Sequence, residues 1–279
     1  MRLARSVLLV GIALFLADPW EAAAETVRFR SATTPPTTLQ KRLAEEKGQP
    51  IDEPPGFELT GELYRPAGVG PFPAVIWMYG CLGRTFRERE KALGDHYASL
   101  GYVLLLVDSF GPRGITDRCD QSLGAPVDRV MDAYGALLPF VDPERVAIVG
   151  RSQGGEAALS AITLGGVETL FERRFRAAII YYARCDVSMG AASAPTVILI
   201  GELDTNTPAS ACQEMMRRRS GDGAPIRLVV YPDAYHSFDS FRLRGRSEMA
   251  FGHRNEYNEA AANAASQEEL SALRRAFGR

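Results

Sequence analysis

Histidine is scarce: the chain has only three among 279 residues, which limits which side chains could act as a base near neutral pH. Cysteine is almost as sparse. Cys81, Cys119, Cys185 and Cys212 form no C-x-x-C pair, so the ligand spacing of zinc ribbons and dithiol redox sites is missing and a zinc or other metal site is not expected. Neither sign of charge dominates, with 32 Lys and Arg against 34 Asp and Glu for a formal net charge of -2. That balance offers no broad basic face to a phosphate backbone, and no nucleic-acid-binding motif is present, so nucleic acid is not an expected partner. The densest basic cluster, Arg217-Arg218-Arg219, falls at the expected C-terminal end of a helix, where the helix dipole favours positive charge without a ligand. Past the first two dozen residues no apolar run is long enough to span a bilayer, and no internal repeat, low-complexity tract or interdomain linker interrupts the chain. What remains is ordinary globular composition, 46% hydrophobic and 24% charged, in a length suited to one large domain.

The N-terminus is different in kind. Arg2 and Arg5 form a positive n-region, Val7 to Leu16 an apolar segment, and Ala22-Ala23-Ala24 a small-residue cleavage site before Glu25. Residues 1–24 are therefore expected to be a signal peptide and 25–279 a single mature domain, periplasmic or secreted, with no membrane attachment after cleavage. An oxidising compartment favours disulfides among the four cysteines, and four cysteines allow three pairings.

Along the mature chain, Val27 to Ser31 reads as a short strand, the Pro-rich stretch from Ala32 to Gly56 as an irregular excursion, and Phe57 to Tyr64 as an alternating strand. Ala74 to Tyr79 is a continuous apolar run of the kind buried on both faces of a parallel sheet. Helices and strands then alternate: a helix from Thr85 to Leu100, a strand Tyr102 to Val107, a helix Pro126 to Phe140, a strand Val146 to Val149, and a helix after Ser152. Strands Ala177 to Tyr182 and Thr196 to Ile200, a helix Pro208 to Arg218, a strand Ile226 to Tyr231 and an Ala-rich helix from about Glu256 to Phe277 complete the series. This alternation implies an α/β architecture with a mostly parallel sheet and helices on both faces.

The strongest chemical signal is Gly150-Arg151-Ser152-Gln153-Gly154, a G-x-S-x-G between a strand and a helix. The chain must turn sharply there, so the serine is held exposed in a strained conformation and glycines remove side chains that would clash. A serine hydroxyl needs a base in reach and a third group to orient that base. In such folds the chain order is Ser, acid, His, which removes His96 because it precedes the serine. His236 follows the last strand in Ala234-Tyr-His-Ser-Phe-Asp239, whereas His253 sits in a polar loop and reads as a surface residue. Asp204 lies just past the strand Thr196 to Ile200 and is the expected acid; Glu202 is the alternative, and Asp233 and Asp239 come from the wrong loop for this order. An oxyanion hole requires two backbone N–H groups, for which Gln153 and Cys81 in Tyr79-Gly80-Cys81-Leu82-Gly83 are the candidates. Arg113, in Asp108-Ser-Phe-Gly-Pro-Arg-Gly114, is placed either to clamp a substrate carboxylate or to make a structural salt bridge with Asp108 or another loop acid.

In order, the segments PFPAVIWMYGCLG, VDSFGPRG, GRSQGG, GELDTNTP and YHSFD resemble the dienelactone hydrolase family of α/β-hydrolases, from about Phe57 to the terminal helix. The resemblance implies an eight-stranded single-domain hydrolase that acts on a small-molecule ester or lactone without cofactor, with Ser152, Asp204 and His236 in the same three roles. Dienelactone hydrolase proper carries a cysteine nucleophile, so Ser152 marks an esterase-like relative. Tyr79 stands where a histidine usually precedes the oxyanion glycine, and a place in the acyl pocket is expected for it. Neighbouring strands in this fold bring Cys81 near Cys119 and Cys185 near Cys212, which selects those two disulfides from the three pairings. A peptidase of the same fold and a catalytically silent binding protein are the competing readings.

Overall fold

The computed structural model describes residues 23–51, 55–84, 87–119, 127–136, 141–186, 191–219 and 221–278. Its elements in chain order are β1 (Ala23–Arg30), α1 (Thr38–Lys47), β2 (Glu58–Arg65), β3 (Phe72–Met78), α2 (Glu90–Ser99), β4 (Val103–Asp108), α3 (Val127–Gly135) and β5 (Val141–Arg151). Then follow α4 (Gln153–Ala161), β6 (Ala177–Tyr181), β7 (Thr196–Gly201), α5 (Ala209–Arg218), β8 (Ile226–Tyr231), β9 (Ser247–Ala250), β10 (His253–Glu256) and α6 (Glu259–Phe277). Most of the expected signal peptide lies outside the described residues, as do Thr85, Pro126 and the 137–140 end of the helix expected from Pro126 to Phe140.

Among the described residues eight strands form one sheet in the order β1-β2-β4-β3-β5-β6-β7-β8. The β1–β2 and β2–β4 pairs are antiparallel and every later pair is parallel. The reason is visible in the side chains. β4, β6 and β7 are buried at every position and so need no polar alternation, while β2 alternates as an outer strand with one wetter face does. Helices α2 and α6 share one face of the sheet, tied by the Tyr97 hydroxyl to the Glu269 carboxylate, and α3 and α4 pack together over the other. The parallel strands all end at one edge, where the loops after β3, β5, β7 and β8 converge, the place where ligands gather in open α/β sheets.

Three stretches differ from the sequence reading. The excursion between β1 and β2 is not wholly irregular, because Thr37 and Gln40 make a reciprocal capping box and Gly48 closes α1 with φ 59°. β5 starts five residues earlier than expected, at Val141 rather than Val146. The polar loop before the terminal helix folds back as the β9–β10 hairpin, whose turn residues Phe251 and Gly252 have φ 53° and 80°. Phe-Gly is an unusual pair for a turn with both φ positive, where Asn-Gly or Asp-Gly predominates, so the hairpin carries little sequence signal. Both expected disulfides form: Cys81 to Cys119 and Cys185 to Cys212, each with Cα atoms 4.8 Å apart.

Candidate active site

Ser152 occupies the tip of the turn between β5 and α4 with φ 52° and ψ -124°. A non-glycine residue at positive φ is strained, and here the surroundings enforce it. A Cβ at Gly150 would lie 2.2 Å from the Gly154 carbonyl oxygen, and one at Gly154 would lie 2.2 Å from the Met78 and Tyr79 carbonyl oxygens. Only glycines fit so close an approach, which is the physical content of the motif. The Ser152 N–H donates to Tyr181 O at 3.0 Å and fixes the turn to β6.

The loop after β8 brings His236 Nε2 to 3.0 Å from Ser152 Oγ, and the loop after β7 brings Asp204 Oδ2 to 2.7 Å from His236 Nδ1. His236 and Asp204 are both 3% exposed, so water competes little for these bonds. Asp204 is itself locked. Its Oδ1 accepts the Asn206 and Thr207 N–H groups, each at 2.9 Å, and Oδ2 lies 2.8 Å from Thr207 Oγ1. That leaves one carboxylate edge turned to the imidazole. The rejected candidates go elsewhere: Glu202 is exposed, His96 is exposed on α2, and His253 lies 3.0 Å from Thr205 Oγ1, linking the hairpin to the acid loop. Among the described residues no group of three or more His, Cys, Asp or Glu is placed to hold a metal ion.

The loop after β3 passes directly over the nucleophile, since a Cβ on Gly80 would stand 3.5 Å from Ser152 Cβ. Cys81 belongs to this loop, one residue past Gly80, and Gln153 follows the serine at the start of α4. The first N–H groups of a helix have no partner within it. Tyr79 and Arg113 are both engaged by acids of the protein. The Tyr79 hydroxyl donates to Glu90 Oε1 at 2.6 Å, and Glu90 also accepts from Arg84. Burial and the hydrogen bond to Glu90 push the phenol's pKa up. The Tyr79 hydroxyl thus ties the loop after β3 to α2. Arg113 is engaged bidentately by Asp132 on α3, with both distances 2.7 Å, and donates to Ser109 O. Its guanidinium is 11% exposed and faces a carboxylate of the protein, so the salt bridge holds, although the partner is Asp132 and not Asp108. Asp108 instead accepts the Phe110 and Gly111 N–H groups.

Several residues that shape the site had no local signature. Tyr182, at φ 36°, sets its ring edge against His236 with centroids 4.8 Å apart, and its hydroxyl donates to Asp239 Oδ1 at 2.7 Å. Asp239 Oδ2 accepts from Arg151 Nε at 2.7 Å, and that guanidinium lies between the rings of Trp77 and Tyr181, 3.8 and 4.0 Å from their centroids. The residue before the serine and the residue three after the histidine are therefore joined under the site.

The Dienelactone hydrolase family model matches residues 59–277. The chain belongs to that family. Among curated relatives, a Yersinia pestis protein named "Putative carboxymethylenebutenolidase" is 23% identical over 207 residues, covering 66% of this chain and 76% of its own. Cutinase 2 of Thermobifida cellulosilytica is 28% identical over 152 residues, and the match spans 53% of this chain and 54% of the cutinase. A solved dienelactone hydrolase-like promiscuous phosphotriesterase from metagenomic libraries shares the fold with TM-score 0.66 at 16% identity, covering 91% of this chain and 98% of that one. The family member therefore has the α/β-hydrolase fold, with the eight-stranded, mostly parallel sheet described above.

Proposed function

We propose that this family member is an exported serine hydrolase that cleaves a carboxylic ester or lactone through an acyl-enzyme intermediate. The observation that carries the reading is the unbroken line Asp204 Oδ2, His236 Nδ1, His236 Nε2, Ser152 Oγ, at 2.7 and 3.0 Å. In this arrangement Asp204 holds the proton on Nδ1, so Nε2 presents a lone pair to the serine hydroxyl. Ser152 Oγ attacks the carbonyl carbon while its proton passes to Nε2. The carbonyl oxygen becomes an anion between the N–H groups of Cys81 and Gln153. Collapse of this intermediate breaks the bond to the leaving oxygen, which takes the proton from Nε2. Water, deprotonated by the same nitrogen, then adds to the acyl carbon; collapse breaks the bond to Ser152 Oγ, which takes the proton back from Nε2, and the acid leaves. Ser152 in place of a cysteine favours an ordinary ester over the dienelactone substrate itself.

Export is supported by the charged and apolar N-terminal pattern and by two disulfides that would be reduced in most cytosols. Peptide bond cleavage is the second reading, because a solved puromycin hydrolase shares the fold with TM-score 0.63, although this chain spans only 40% of it. p-Nitrophenyl esters graded by acyl length, run beside peptide p-nitroanilides, test both. Turnover of at least one ester with no turnover of the anilides supports the proposal; turnover of anilides alone overturns it.

A further inference from the structure

Arg129 on α3 is 2% exposed, yet among the described residues no carboxylate pairs with it. Burial pulls its pKa down to about 10, which still leaves it charged at neutral pH. A buried guanidinium that lacks a counter-ion in contact is costly to the fold, so its actual acceptors are informative. There are two. Nη2 donates to the carbonyl oxygen of Tyr79, two residues before Cys81, and Nη1 donates to Gln153 Oε1 at 3.1 Å. One side chain thus grips both segments that carry the proposed oxyanion donors.

The grip is part of a closed ring. Gln153 Nε2 donates to Arg118 O at 3.1 Å, the Arg118 N–H donates to Cys81 O at 2.9 Å, and the next residue, Cys119, is bonded to Cys81. Phe110 lies beneath the arginine, 5.0 Å from ring centroid to guanidinium carbon, and Asp132, which could have neutralised it, is occupied by Arg113. The distance between the Cys81 loop and the start of α4 is therefore set by the two-pronged guanidinium and a Gln153 side chain that spans the gap.

We infer that Arg129 is a positioning residue that fixes the spacing of the two oxyanion donors, with the Gln153 amide as its strut. The inference rests on the serine-hydrolase reading above. An oxyanion hole works only if both N–H groups reach the developing anion at about 2.7–3.1 Å, so a small widening weakens transition-state binding while leaving ground-state binding nearly intact.

The test uses the mature protein with p-nitrophenyl acetate, the end-point of fluorophosphonate labelling to count competent sites, and phenyl trifluoromethyl ketone, which adds to the serine as a tetrahedral anion. Arg129→Met and Gln153→Ala are compared with wild type, the second retaining its main-chain N–H. Each is expected to lower kcat per labelled site by roughly 10- to 100-fold, part of the loss from deleting a donor outright, with KM within about twofold. The ketone should bind more weakly by a similar factor, and Arg129→Lys, which can reach one acceptor but not fork between two, should fall between. A merely structural arginine would reduce the number of labelled sites and leave kcat per site and ketone affinity unchanged. That outcome, or a Gln153→Ala enzyme with both values at wild-type level, overturns the inference; if Arg129→Met does not fold, Gln153→Ala decides. Failure of the underlying reading looks different, because wild type itself would then take no label at Ser152, and the inference falls with it.

Discussion

Changing Asp239 to Asn removes one negative charge from under the site with almost no change of shape. The carboxylate now accepts from Arg151 Nε and from the Tyr182 hydroxyl, both at 2.7 Å, so both oxygens face donors. An amide has only one oxygen; with that oxygen kept on Arg151, its NH2 faces the Tyr182 hydroxyl, which must turn from donor to acceptor. Arg151 loses its close counter-ion; what remains is Glu269 Oε2 at 3.8 Å from Nη2 and the two aromatic faces. The pair is largely buried, with side chains 20% and 13% exposed, so solvent screening reduces the effect only modestly. Removing one partner of a buried pair costs about 3–5 kcal/mol, and the residual contacts place this case near about 3 kcal/mol. For a domain of this size that corresponds to a Tm lower by about 6–12 °C. The Tyr182 bond becomes a reversed, neutral one from the amide NH2 to the hydroxyl oxygen, and the Tyr182 ring bears on His236, so kcat on a p-nitrophenyl ester should fall about tenfold while KM stays within about twofold. Thermal melting followed by circular dichroism, with steady-state kinetics on the same preparation, reads both. An Asp239→Asn enzyme whose Tm lies within about 2 °C of wild type and whose kcat is within about twofold would refute the argument that this pair braces the base.

Replacing the proposed nucleophile or base, Ser152→Ala or His236→Ala, should each lower kcat by roughly 10³- to 10⁶-fold, and the double variant little further, because such groups act as a unit; ester hydrolysis checks it. Opening the Cys185–Cys212 bond with paired Ser substitutions removes a closure spanning 27 residues, worth about 3.5 kcal/mol by loop entropy, and should appear as a lower denaturation midpoint in urea. The exported protein should begin at Glu25, leaving 279 minus 24, or 255 residues, and intact mass spectrometry of protein from the periplasm or medium would show residues 1–24 still attached if the cleavage site is misplaced. Glu156 is buried on α4, and desolvation raises its carboxyl pKa, with Arg184 opposing. The folded state then holds that proton more tightly than the unfolded state, so the destabilisation is absent at low pH and grows as pH rises through the raised pKa. Glu156→Gln should accordingly leave Tm unchanged at pH below the ordinary carboxyl range and raise it increasingly from there up to the raised pKa, as a pH series of melts would show.

The parts of the site legible in the sequence are those with a local geometric cause. Gly150 and Gly154 are required by approaches of 2.2 Å, so they mark Ser152 wherever a strand meets a helix. With three histidines and a fixed chain order, His236 follows by elimination, and Asp204 follows from its place at the end of β7. Cysteine pairing was legible once strands were ordered as neighbours. The T-x-x-Q capping box of α1 is also legible in the sequence, although it follows two prolines that signal irregular chain. By contrast, the partners of Tyr79 and Arg113 carry no local signal, because Glu90 and Asp132 lie 11 and 19 residues away on helices, and the sequence leaves Arg113 open between a substrate clamp and a salt bridge. Arg129 and Arg151 are harder still. A buried arginine is indistinguishable in sequence from an exposed one until the fold supplies the carbonyl, amide or ring that receives it.

The central claim is that Ser152 is activated by His236 and held ready for acyl transfer. Incubating the folded protein with a fluorophosphonate and locating the adduct by peptide mass spectrometry tests it directly. The account predicts a single adduct on Ser152, lost in Ser152→Ala and formed far more slowly in His236→Ala; a folded protein that takes no label, or takes it on another residue, would contradict it.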